Sequence, residues 1–162
     1  MASTPAPTSP AGALVVDANI AIALFAKEAG RHPKATAELR AFTAQGYVFY
    51  APGVIISETL YVLCGKARDG TLSPADHATA VTDFALFMSG VIPPPNGDSS
   101  LISRAAGMNS GYGCSRSSDS IYLALAEELT STLPTEVLTF DADLPNQAAR
   151  NAPTVTVRLL VP

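Results

Sequence analysis

The stretch that decides the fold is VVDANIAIALF, residues 15–25. An apolar run stops at an acid, Asp17, and a second apolar run begins two residues later. The run ahead of the acid, ALVV at residues 13–16, is short, apolar and partly β-branched, which predicts a buried strand. The run behind it predicts a helix over residues 19–29. A carboxylate between two core segments has two explanations. It caps the free N–H groups of the helix, or it belongs to a metal site at the end of the strand.

Outward from this unit, short β-rich runs alternate with longer helical ones. Residues 33–45 predict a more polar helix, with Ala37, Leu39, Phe42 and Thr43 spaced for one packed side. YVFYA (47–51) predicts a strand broken by Pro52-Gly53, and a helix over 54–68 follows, ended at Gly70. Ser73 caps a helix that begins at Pro74 and runs to about Ser89. Val91-Ile92 predicts a very short strand cut by three prolines, and Asn96 or Asp98 opens a helix to about Asn109. GYGCSRSS reads as a loop, 119–131 as a helix, 136–139 as a strand, 144–150 as a short helix and 154–159 as a last strand. Strands separated by helices point to βαβ crossovers and a mostly parallel sheet covered on both faces.

The whole chain has 162 residues, 48 % hydrophobic and 15 % charged, which suits one domain with a sizeable core. No apolar run reaches the ~18 residues needed to span a bilayer, so no membrane association is expected. Residues 1–12, MASTPAPTSPAG, carry neither positive charge nor an apolar core segment, which excludes a secretory signal and predicts a flexible Pro/Ser/Thr-rich tail ahead of a domain over 13–162. Cys64 and Cys114 form no CxxC pair or Cys/His cluster, which fits a reducing cytoplasm and argues against zinc. The net charge of −4 counts against a broad basic nucleic-acid face. It leaves open an enzyme that holds phosphates through cations, because the ions reverse the local sign.

Of the 14 acids, most lie in polar surroundings. Asp17 (VVDAN), Glu58 (VIISETLYVL), Asp119 (SSDSIYLALA) and Asp141 (VLTFDADL) lie in apolar ones. Taken singly, Asp17 and Asp119 fit helix caps and Asp141 fits a turn. Glu58 fits neither role, because the helix through it has already begun. An isolated charge there costs several kcal/mol unless it reaches outward, pairs with a base or meets a cation. In a parallel sheet, strand C-termini and the following helix N-termini share one edge, which directs Asp17, Glu58 and Asp141 to the same place. Asp119 is placed less firmly, since a loop precedes it. Carboxylates gathered in one cleft repel by about 4 kcal/mol per close pair at an effective dielectric of 20. Cations relieve this, and an all-oxygen donor set suits Mg²⁺ or Mn²⁺.

The series VVDAN, ISETLYVL, SSDSIYLALAEEL and LTFDADL, in this order and set in βα units, resembles the PIN domain, most closely the toxin ribonucleases of the VapC type. The resemblance runs from Ala13 to Val161. It implies a three-layer α/β/α fold with a mostly parallel sheet of about five strands. It implies that Asp17, Glu58, Asp119 and Asp141 bind Mg²⁺ or Mn²⁺ and catalyse RNA hydrolysis. Asn19 and Thr139 match the polar positions that orient ligands or water, and Asp143 is an additional acid, favoured as a helix start. The resemblance also implies an RNA substrate and a small antitoxin partner. The tail is not part of the family pattern.

Arg116, Arg104 and Lys66 are candidates for phosphate contacts or for ordinary solvated charges. Tyr61 and Tyr122 are expected in core or dimer packing, and the apolar surface of the helices bearing Tyr61, Phe84 and Phe87 predicts a homodimer. His32 and His77 are assigned no role. Three rival functions remain. A haloacid-dehalogenase-like phosphatase also places an Asp after its first strand but needs a second Asp two residues on, where this chain has Asn19. A non-catalytic PIN-like scaffold would bind RNA or protein without cutting, and a housekeeping PIN ribonuclease would cut without an antitoxin.

Overall fold

Every residue of β1 (Gly12–Val16) is buried, as expected of a strand covered on both faces. The computed structural model describes residues 9–111 and 117–162, the side chain of Ser117 excepted. Residues 1–8 of the expected tail and residues 112–116 of the expected loop, with Cys114 and Arg116, lie outside the described residues. β1 pairs in parallel with β2 (Tyr47–Tyr50) on one side and β3 (Thr135–Thr139) on the other, and β4 (Thr156–Leu159) pairs with β3. The order is β2-β1-β3-β4.

Among the described residues, seven helices surround the sheet: α1 (Ala18–Phe25), α2 (Arg31–Ala44), α3 (Val54–Arg68), α4 (Pro74–Ser89), α5 (Ile102–Ser110), α6 (Ser117–Thr130) and α7 (Leu144–Asn151). Alternation along β1 divides the interior. Ala13 and Val15 join a large core with Ile55 of α3, Phe84 of α4, Met108 of α5 and Leu125 of α6. Leu14 and Val16 join a smaller one with Ile20 of α1 and Ala35, Leu39 and Phe42 of α2. The result is the expected three-layer α/β/α arrangement.

The sheet has four strands rather than about five. Ile92 makes one parallel bridge to Tyr50 and no more. Its N–H donates to the Phe49 carbonyl at 2.8 Å, but Pro93, Pro94 and Pro95 follow and have no N–H with which to extend the ladder. α1 is also shorter than expected, because Lys27 adopts a left-handed φ of 51° and turns the chain. The helix expected from Asn96 or Asp98 splits into a 3₁₀ turn, Asp98–Leu101, and α5. Asp98 Oδ1 instead accepts the N–H of Gly53 at 2.8 Å, and a Cβ on Gly53 would stand 2.8 Å from Asp98 Oδ2. That close approach pins the turn from which α3 starts. The Ser73 cap is as expected, its Oγ accepting the Asp76 N–H at 3.1 Å.

Phe84 is buried and, with Phe87, packs against Phe25 at 5.5 Å between ring centroids. These two rings serve the monomer's own core, so that part of the homodimer argument does not hold. Among the described residues no helix is long and apolar enough to cross a membrane.

Candidate metal centre

Asp17 stands at the N-cap position of α1, yet its side chain makes no capping hydrogen bond. The Asn19 N–H leans toward the carboxylate and weakly favours its charge. The firm partners lie across the sheet. Asp17 Oδ2 accepts the Thr139 hydroxyl at 2.6 Å and the Asn19 side-chain amide at 2.7 Å. That amide also reaches Thr139 Oγ1 at 3.0 Å, while Asn19 Oδ1 accepts the Phe140 N–H at 2.9 Å. Thr139 Oγ1 in turn accepts the Asp141 N–H at 2.9 Å. The network ties the end of β1, the start of α1 and the end of β3 together. Asn19 and Thr139 therefore sit where the sequence places them, directly on Asp17.

Asp119 is the third residue of α6, not its cap, because the helix begins two residues earlier than expected. Its Oδ2 accepts the amide of Gln147 on α7 at 2.7 Å. Asp141 Oδ1 accepts the Asp143 N–H at 2.8 Å, so the turn role foreseen for Asp141 is real, and it occupies one carboxylate oxygen. Glu58 lies at the start of the second turn of α3, one turn later than expected. Its Oε2 accepts the hydroxyl of Tyr122 at 2.7 Å.

Asp17, Glu58, Asp119 and Asp141 all line one cleft of about 300 Å³, with Asn19, Ile22, Tyr61 and Ser118. Asp17 is 8 % exposed. Burial, more than any neighbour, pushes its carboxyl up to about 6, and the charges of Asp119 and Glu58 press in the same direction. Among the described residues no three His, Cys, Asp or Glu side chains converge tightly enough to form a ready-made ion nest. The arrangement still fits Mg²⁺ or Mn²⁺ by donor type. Magnesium keeps several waters and is commonly held by one or two carboxylates, so acids spaced around a cleft leave room for a hydrated ion. A buried carboxyl under like-charge pressure is the group such an ion would relieve.

Two polar residues of the site escaped the sequence. Gln147, 3 % exposed, shares a helical face with buried Leu144 and Ala148; a polar side chain at that spacing was a signal available in the sequence. Tyr122 packs in the core as expected, but its hydroxyl serves Glu58. Tyr61 is not in the core: it is 80 % exposed and lines the cleft. Lys66 pairs with Glu28 at 3.0 Å and Arg104 with Glu127 at 2.5 Å, which places both phosphate candidates in ion pairs. Asp143 precedes α7 as favoured, though without a side-chain cap bond, and is not among the described residues lining the cleft. The His32 ring bonds the Leu24 carbonyl at 3.0 Å.

A three-layer α/β protein with an acidic cleft at the C-terminal edge of a parallel sheet is the class that this fold and site define. The sequence model of the PIN domain matches residues 14–150, and the chain belongs to the PIN domain family, a family of nucleases. Among solved structures it is similar in fold to a chain of VapBC2 from Rickettsia felis, determined bound to a DNA fragment from their promoter. The TM-score is 0.60 and the identity 10 %, over 92 % of this chain and 99 % of that one. No curated protein matches the sequence.

Proposed function

We propose that this chain is an endoribonuclease that uses Mg²⁺ or Mn²⁺ to hydrolyse RNA phosphodiester bonds, and that it acts in the cytoplasm as the toxin of a type II toxin–antitoxin pair. The observation that carries the reading is that Asp17, Glu58, Asp119 and Asp141 line one cleft, with the Asp17 side chain making no capping hydrogen bond. A bound divalent ion supplies Lewis acidity toward the phosphate and a water of lowered pKa. The chain's own residues hold the acids ready. Thr139 and Asn19 aim Asp17, Gln147 steadies Asp119, and the Asp143 backbone fixes Asp141. Each donor is neutral, so it orients a carboxylate without cancelling the charge a cation needs.

The toxin assignment draws on the VapC-like motifs and on the fold shared with a VapBC2 chain. It brings with it a small antitoxin as partner. A homodimer fits the apolar groups left exposed on α3, Ile56 and Leu60 beside Tyr61. The nuclease unit begins at Gly12, which opens β1 one residue ahead of the expected boundary, and runs to residue 162.

The purified protein should cut RNA internally in Mg²⁺ or Mn²⁺, stop on chelation, and lose cleavage in Asp119→Asn. Cleavage undiminished in excess EDTA, or retained in the variant, overturns the reading.

A further inference from the structure

Tyr122 is 1 % exposed, and its ring belongs to the large core. A phenol so deeply placed needs partners for its hydroxyl. Its proton is donated to Glu58 Oε2 at 2.7 Å. A Glu side chain has three torsions and loses substantial entropy when fixed. Here one oxygen is already fixed, leaving Oε1 for the cleft that Glu58 lines. Tyr122 also stands one helical turn after Asp119, so the same helix carries one acid of the cleft and the donor for another.

We propose that Tyr122 is a positioning residue of the metal centre: its hydroxyl fixes Glu58 for a divalent cation and ties α6 to α3 beside the cleft. The inference rests on the metal-dependent reading above. A neutral donor suits this place. Lysine would neutralise Glu58 and compete with the ion, whereas a phenol orients the carboxylate and leaves its charge intact. A purely structural phenol would affect melting but would not act on the ion through Glu58.

Mn²⁺ binding to the full chain, stripped with EDTA and followed by calorimetry or electron paramagnetic resonance, tests this. Wild type, Tyr122→Phe, Glu58→Gln and the double variant are compared. Tyr122→Phe, with unchanged circular dichroism, should weaken Mn²⁺ binding about tenfold. In the Glu58→Gln background the same change should alter the dissociation constant by less than about twofold, since its route is already gone. If Tyr122→Phe binds like wild type, or weakens binding by the same factor with and without Glu58, the inference is overturned while the metal reading stands. A wild type that binds no Mn²⁺ overturns both. Should Tyr122→Phe not fold, the Tyr122 ¹³Cζ resonance decides. It should move on Mg²⁺ addition in wild type and stay put in Glu58→Gln; an equal response in both, or none in wild type, overturns the inference.

Discussion

Substituting Asp17→Asn should stabilise the metal-free protein, and by an amount that depends on pH. The carboxyl is pushed from 3.8 to about 6, chiefly by burial. The folded state therefore binds its proton more tightly than the unfolded chain does. Stability from this group is complete below about 3.8 and is lost as pH rises through 6. At about 1.4 kcal/mol per tenfold of proton affinity, the ionised group costs about 1 kcal/mol at pH 4.5 and about 3 kcal/mol at pH 7.5. Asn has no charge to desolvate. Its Oδ1 can accept both the Thr139 hydroxyl and the Asn19 amide, which now share a single oxygen of Asp17. In EDTA at pH 7.5 the variant should melt above wild type by roughly 6–12 °C, taking about 2–4 °C per kcal/mol for a domain of this size. The gap should shrink to a third of that at pH 4.5. Adding Mn²⁺ at ten times its dissociation constant should raise wild type by about 1.4 kcal/mol and the variant by much less. Calorimetric melting at the two pH values, with and without Mn²⁺, gives all of these quantities. A variant that melts at or below wild type in EDTA, with no widening of the gap as pH rises, would refute the picture of a desolvated, repelled carboxylate.

Substitutions at two further positions probe separate parts of the site. Gln147→Met removes the amide on Asp119 while keeping volume, and should weaken Mn²⁺ binding about tenfold; Gln147→Lys should abolish it by pairing with Asp119, and calorimetric Mn²⁺ binding equal to wild type in both would end the positioning role. Tyr61→Ala should leave melting within about 0.5 kcal/mol, as befits an exposed side chain, yet raise KM for single-stranded RNA about tenfold through lost base stacking, with Tyr61→Phe retaining affinity; an unchanged KM in the alanine variant would return Tyr61 to assembly alone.

Much of this site could be read before any coordinates, for a definite reason. Asp17 and Asp141 follow strands, and a parallel sheet sends strand ends to one edge whatever else the chain does. Glu58 was legible because an acid inside an apolar helix has few stable fates. The contacts that hold these acids were not legible. Tyr122 and Glu58 are separated by 64 positions, Gln147 and Asp119 by 28, and which polar tip meets which acid is settled by packing between helices that sequence spacing does not encode. That Tyr61 lies outside the core is illegible for a related cause. α3 is apolar nearly all round, and its buried stripe turns out to be Ile55, Thr59 and Leu63, with Ile56, Leu60 and Tyr61 outside it. Periodicity cannot choose a side when both sides qualify. The fifth strand was overcounted because Val91-Ile92 has strand chemistry but is followed at once by residues that cannot donate to a ladder.

The hydrogen bonds bear directly on the cap-or-ligand question posed by VVDAN. A capping Asp would spend its carboxylate on the N–H groups of the first helical turn and gain about 1 kcal/mol. Asp17 spends one oxygen on Thr139 and on the side chain of Asn19 instead, and stays buried at a cost larger than any cap returns. On the proposed reading, a bound cation offsets that cost. The surface points the same way. Lys66, Arg104 and Arg158 are each tied to a glutamate, so these cations are already balanced within the protein. On the proposed reading, a chain of net charge −4 would then draw a polyanion to its acidic cleft chiefly through cations held there, and the repulsion among the acids in the metal-free state would be what makes those cations bind.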